Sequence, residues 1–160
     1  SGKDTDPAAV DWSIGFYNHI GKHAIRINKE VPGHLANRLQ AALWREAVLA
    51  VKNGLASVED VNAAVAQGPG LRWALLGPFM NLHLSGGSEG IGHVIDHLGP
   101  PIESWWRDLG DLSFTPEVRA EAVKGVGDEL VGRHLEELVA TRDDILIKLI
   151  GMKELAKQLP

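Results

Sequence analysis

In 160 residues only one short stretch, Ala24-Ile25-Arg26-Ile27-Asn28, alternates apolar and polar side chains in the manner of a β-strand. One strand cannot make a sheet, because its backbone donors and acceptors need a neighbour on at least one edge. The chain must therefore fold chiefly as helices, with the strand-like stretch belonging to something larger. The segment before it points the same way. Asp6-Pro7 is an N-cap followed by proline at the first helical position, where a missing N–H costs nothing. Val10, Ile14, Tyr17 and Ile20 then form a helical stripe, which Gly21 closes. A lone helix and a lone strand ahead of a helical chain look like the end of one unit leading into another.

Beyond Val31-Pro32-Gly33 the pattern is helical throughout. Leu35, Leu39, Leu43, Ala47 and Val51 step by four along a helix of about 18 residues that stops at Asn53-Gly54. Ser57-Val58-Glu59-Asp60 opens the next helix as a capping box, with Asp60 where Glu is commoner. Gly68-Pro69-Gly70 breaks the chain, and Pro78 starts a helix running to Gly86-Gly87. Ser88 is expected to cap the following helix and Gly99-Pro100-Pro101 to end it, leaving Trp105 and Trp106 on a short separate segment. Thr115-Pro116-Glu117 begins a long helix by the same cap-plus-proline logic. The last helix carries Leu135, Leu138, Arg142, Ile145, Leu149 and Met152, close to a heptad seam. The fold class these signals predict is all-α.

Composition narrows what such a chain can do. Apolar residues make up 44% and charged residues 23%, enough for one packed domain of this length. Sixteen basic against 21 acidic residues give a net charge of −5, which argues against nucleic acid as a partner. No apolar run reaches the roughly 18 residues of a membrane span. The absence of cysteine removes disulfides, thiolate nucleophiles and Cys-based zinc sites, and fits a reducing, cytoplasmic setting.

The chemical motifs are mostly negative. Gly68-Pro69-Gly70 and Gly86-Gly87-Ser88-Glu89-Gly90 lack the G-x-G-x-x-G spacing and the preceding strand of a dinucleotide site. There is no Walker loop, no H-E-x-x-H and no G-x-S-x-G. Glu89, His93 and His97 lie four apart on one helix face, a spacing that could serve a metal. An amphipathic helix with solvated histidines explains them better, and no second ligand cluster accompanies them. Asn37 stands in the first turn of its helix, as a solvated polar residue or as one facing a site at that end. Trp44, Trp73, Trp105 and Trp106 are numerous for the length. Core packing accounts for tryptophans in general, but an aromatic wall also binds quaternary ammonium groups.

One combination is more specific. Gly21-Lys22-His23-Ala24-Ile25-Arg26-Ile27 and Glu30-Val31-Pro32-Gly33-His34-Leu35-Ala36-Asn37-Arg38-Leu39 resemble the junction between the two domains of the 3-hydroxyacyl-CoA dehydrogenase family. There the last strand of the nucleotide domain leads through Pro-Gly into a helix opening with Asn-Arg-Leu. Gly54-x-Ala56-Ser57-x-Glu59-Asp60-Val61, Gly70-Leu71-Arg72-Trp73-Ala74-Leu75-Leu76-Gly77-Pro78 and Glu89-Gly90-Ile91-x-His93-Val94 are similar to the branch holding L-carnitine dehydrogenase and lambda-crystallin. The resemblance covers roughly residues 7–115, and the last 45 or so residues follow it more loosely. His34 departs from the phenylalanine usual after Pro-Gly.

The resemblance implies a helical domain of the 6-phosphogluconate dehydrogenase C-terminal-like type. Residues 1–31 would be the last helix and strand of a nucleotide-binding domain, and residues 32–160 a substrate-binding and dimerisation domain. The catalytic His and Glu of the family, and its NAD, belong to the nucleotide domain. Asn37 matches the Asn of Asn-Arg-Leu and is implied to hold the reacting oxygen or the catalytic histidine. Arg72 is a candidate for a substrate carboxylate, or for an interdomain ion pair. Trp73, next to it, is a candidate for the substrate's other end. The implied activity is NAD-dependent oxidation of a 3-hydroxy acid by a homodimer, with this chain inactive alone. Carnitine, gulonate and acyl-CoA remain open as substrates, although 14 of the 21 acidic residues lie in the second half, which disfavours the phosphates of acyl-CoA. The competing expectation is a helical dimerisation module without a site of its own.

Overall fold

A computed structural model of the chain describes Gly2, residues 4–156 and Leu159. Its regular elements are helices: α1 (Pro7–His19), α2 (Ala36–Lys52), α3 (Val58–Gln67), α4 (Pro69–Leu75), α5 (Pro78–Ser85), α6 (Gly90–Asp108), α7 (Pro116–Glu129) and α8 (Leu135–Leu155). Two compact units divide at Trp44 and Arg45, part-way along α2.

In the first unit, Asp6 caps α1 through its carboxylate, which accepts the Ala8 N–H at 2.8 Å, and Pro7 occupies the first turn. The strand expected at residues 24–28 does not form, and no β-strand occurs among the described residues. The physical reason is the one the sequence contains: no second strand is present to take its backbone bonds. The Asn18 side chain accepts the Ala24 N–H at 2.9 Å, and Arg26 pairs with Asp11 on α1. Between α1 and this extended stretch lies an open groove of about 660 Å³, lined by Val10, Ile14, Tyr17, Ile25 and Ile27 among others. The stripe read in α1 thus faces the residues read as a strand. The chain then turns at Val31-Pro32-Gly33-His34, where the His34 N–H reaches the Val31 carbonyl at 3.0 Å and Gly33 adopts φ 75°. Proline followed by a glycine at positive φ fits a type II turn.

In the second unit Val48 and Leu49 of α2, Val94 of α6 and Val118 of α7 are the buried apolar side chains. The loop after α6 lies over this part of α2. Arg45 pairs with Asp111 at 3.4 Å, and a Cβ on Gly110 would stand 3.4 Å from Leu49 Cδ1. Ser57 caps α3 as expected, accepting the Asp60 N–H at 3.0 Å while its hydroxyl donates to the Asp60 carboxylate at 2.6 Å. Thr115 caps α7 in the same way. The Thr115 hydroxyl and the backbone N–H of Glu117 also hold the Glu117 carboxyl below its ordinary range. Asn62 of α3 donates to Glu129 of α7 at 2.7 Å, and Arg133, just after α7, reaches Glu59 of α3 at 3.5 Å.

Two boundaries differ from the sequence reading. Gly99-Pro100-Pro101 does not stop α6, which continues to Asp108 and carries Trp105 and Trp106 on its last turns. Each proline deprives one carbonyl four residues back of its donor. Those carbonyls belong to Asp96 and His97, both exposed, where solvent can satisfy them. Nor does Ser88 cap α6: Gly87–Glu89 forms a single 3-10 turn, and the Ile91 N–H is met by Nδ1 of His83, from α5, at 3.3 Å. At the C-terminal end α8 runs 21 residues with none buried, its seam residues Leu135, Ile145 and Met152 lying open.

Candidate substrate-binding site

Asn37 is the second residue of α2, directly after the Pro-Gly turn, and its side chain is exposed. The turn presses close. A Cβ added to Gly33 would stand 3.7 Å from Asn37 Cβ and 3.3 Å from Arg38 Cγ. Arg38 in turn donates to the Pro32 carbonyl at 3.5 Å. Turn and helix start are thus held together, and Asn37 projects from a fixed backbone.

Arg72 and Trp73 are neighbours on α4, a helix of seven residues. That helix follows α3 with no loop between them, Gly68 serving as the last cap of one and the first of the other. A Cβ on Gly68 would meet the Ala64 carbonyl oxygen at 2.4 Å, so only glycine permits so abrupt a reversal. Both side chains are exposed, Trp73 at 44%. Among the described residues no carboxylate pairs with the Arg72 guanidinium. Trp105 and Trp106 are likewise open in this chain, at 62% and 66% exposure.

The histidine cluster resolves differently. His93 Nδ1 lies 2.7 Å from Glu89 Oε2, and His97 Nδ1 lies 3.0 Å from the His93 carbonyl oxygen. The two rings lie against each other at a tilt of 40°, with centroids 4.1 Å apart. The Nδ1 of each ring is thus engaged locally, and no group of three potential ligands that could hold a metal occurs among the described residues.

A residue the sequence reading passed over is Asn81 on α5. Its side-chain amide donates to three carbonyls, those of Leu76 at 2.7 Å, Gly77 at 3.1 Å and Arg72 at 3.2 Å. The signal was available, since asparagine inside a helix is as poor a helix former there as at Asn37.

Helices stacked around a small core, with an Asn-Arg-Leu helix following a Pro-Gly turn, define a class. Residues 33–115 match the model of the 3-hydroxyacyl-CoA dehydrogenase C-terminal domain, and the chain belongs to that family. Its relatives include an L-carnitine dehydrogenase of Streptomyces griseus subsp. griseus, 44% identical over 149 residues, 93% of this chain and 44% of the relative. An L-carnitine dehydrogenase of Bacillus cereus is 40% identical over 153 residues, 96% of this chain and 47% of the relative. The chain therefore spans somewhat under half the length of these relatives. Among solved structures, 5-formyl-3-hydroxy-2-methylpyridine 4-carboxylic acid 5-dehydrogenase, described as an NAD+ dependent dismutase, shares the fold. It matches with a TM-score of 0.66 and 24% identity, over 100% of this chain and 51% of that one. No helix among the described residues is long and apolar enough to cross a membrane.

Proposed function

We propose that this chain is the C-terminal, substrate-binding part of a cytoplasmic NAD-dependent 3-hydroxy-acid dehydrogenase acting on L-carnitine. In this reading residues 1–31 complete a nucleotide-binding domain and residues 32–160 supply one wall of the substrate cleft and the homodimer contact. The family match, which begins at Gly33, supports that division. The chain's own glycine-rich stretches join helices and follow no strand, so they do not fit the phosphates of NAD. The cofactor of this reading belongs to the rest of the full-length protein, and the chain by itself is inactive.

The observation that carries the substrate is the pairing on α4 of an exposed guanidinium, without an ion pair among the described residues, and an exposed indole. Carnitine has a carboxylate at one end and a trimethylammonium at the other. Arg72 can grip the carboxylate in bidentate fashion, and Trp73 can offer its face to the ammonium, an attraction worth up to about 2 kcal/mol when desolvated. Asn37 holds the hydroxyl oxygen, or the histidine that takes its proton, by hydrogen bond. Each role uses a donor or a face that the fold leaves open.

The test is turnover of the full-length protein with NAD on L-carnitine, L-gulonate and a 3-hydroxyacyl-CoA. L-carnitine should be preferred, and activity confined to the acyl-CoA overturns the substrate assignment. Trp73→Leu should then lower kcat/KM for L-carnitine by about tenfold or more while sparing an uncharged 3-hydroxy acid. Equal losses on both would make Trp73 a packing residue.

A further inference from the structure

We propose that Asn81 is a positioning residue, which fixes the substrate contacts of α4 without touching substrate; this rests on the assignment of Arg72 and Trp73 made above. The last carbonyls of a helix have no partner within it and must be met from outside, or the end frays. In α4 that end is where Arg72 and Trp73 sit, three and two residues before the last position. A seven-residue helix has little cooperativity of its own to hold it.

The amide of half-buried Asn81 adds a tie from outside to this end. Its Nδ2 meets the Arg72 carbonyl at 3.2 Å, at the same atom where the Leu76 N–H arrives at 2.8 Å. It also meets the Leu76 and Gly77 carbonyls, at 2.7 and 3.1 Å, just before α5 begins. Three carbonyl oxygens around one group admit only a donor, so the amide nitrogen and not its oxygen must face them. Asn81 thus ties the backbone of Arg72 to the turn that follows and anchors both to α5. From α8, Lys153 donates to the Ala74 carbonyl at 2.8 Å, one residue beyond Trp73. The end of α4 is held from two sides, and the angle at which guanidinium and indole are presented is set by a residue neither of them touches through its side chain.

The experiment uses the full-length protein with NAD and L-carnitine. Asn81→Ala should raise the KM for L-carnitine about tenfold, as expected for a small displacement of binding groups, with kcat and the KM for NAD within about twofold. Asn81→Gln, which keeps the donor on a longer arm, should recover part of the loss. In an Arg72→Ala/Trp73→Leu background Asn81→Ala should add less than about twofold, because the groups it positions are gone. An unchanged KM for Asn81→Ala, or a full tenfold added in that background, overturns the proposal. So does a parallel fall in kcat and rise in the KM for NAD, which would signal general loosening. If Asn81→Ala does not fold, Asn81→Gln carries the same comparison. Should Arg72→Ala and Trp73→Leu both leave the KM for L-carnitine unchanged, the site assignment fails and takes the Asn81 role with it. If those two raise KM and the Asn81 variants do not, only the Asn81 role is lost.

Discussion

Replacing Gly90 with alanine should cost the folded protein about 2 to 6 kcal/mol. Two effects add. Gly90 opens α6 at φ 67° and ψ −154°, a region open essentially to glycine alone, where a side chain costs about 1 to 3 kcal/mol. A Cβ there would also stand 2.5 Å from Cε1 and 2.6 Å from Nδ1 of His83. The ring cannot swing aside freely, because its Nδ1 accepts the Ile91 N–H that starts the helix. Overpacking of this kind costs about another 1 to 3 kcal/mol. Denaturant unfolding of Gly90→Ala and of the His83→Ala/Gly90→Ala pair separates the two. The double variant should regain the steric part and keep the backbone part, and an unaltered midpoint for Gly90→Ala would contradict both.

The second large effect is on turnover. In the full-length enzyme Asn37→Ala should lower kcat about 100-fold with a smaller change in KM, since a hydrogen bond to the developing charge matters most in the transition state. Asn37 is exposed, so its amide is open either to a substrate or to solvent. Asn37 stands at the second residue of α2, where helix N–H groups lack partners, and the turn behind it is braced by Arg38 on Pro32. Steady-state rates on L-carnitine decide the matter. A variant with normal folding and undiminished kcat returns Asn37 to the solvent.

Helix starts were the most legible part of the sequence, because a cap is local chemistry. Asp6-Pro7, Ser57 and Thr115-Pro116 each predict a start that the structure places at that residue. Ends and breaks were less legible, because they depend on what surrounds the chain. Gly99-Pro100-Pro101 would end an isolated helix, yet α6 passes through it with the affected carbonyls on exposed residues. Residues 24–28 have the alternation of a strand, but pairing is a property of two segments and only one is present. In the site, Asn37 and Trp73 stand out as a polar residue in a first helical turn and as one of several tryptophans, and only the resemblance gives them, with Arg72, a role. Asn81 was missed because its three partners are main-chain carbonyls, which look alike in every sequence.

The openness of α8 has a consequence for how stability scales. Twenty-one residues that bury nothing, with β-branched Val139, Thr141, Ile145, Ile147 and Ile150 among them, form a helix of modest intrinsic propensity. Its order then depends on whatever covers Leu135, Ile145 and Met152, and in the proposed homodimer that cover is supplied by association. With that dimer as the cover, helix formation there would follow mass action and not the single chain alone. Far-ultraviolet ellipticity should accordingly weaken as the protein is diluted from micromolar to nanomolar concentration, in step with the loss of the dimer by sedimentation. An ellipticity indifferent to dilution across that transition would mean that α8 stands without help.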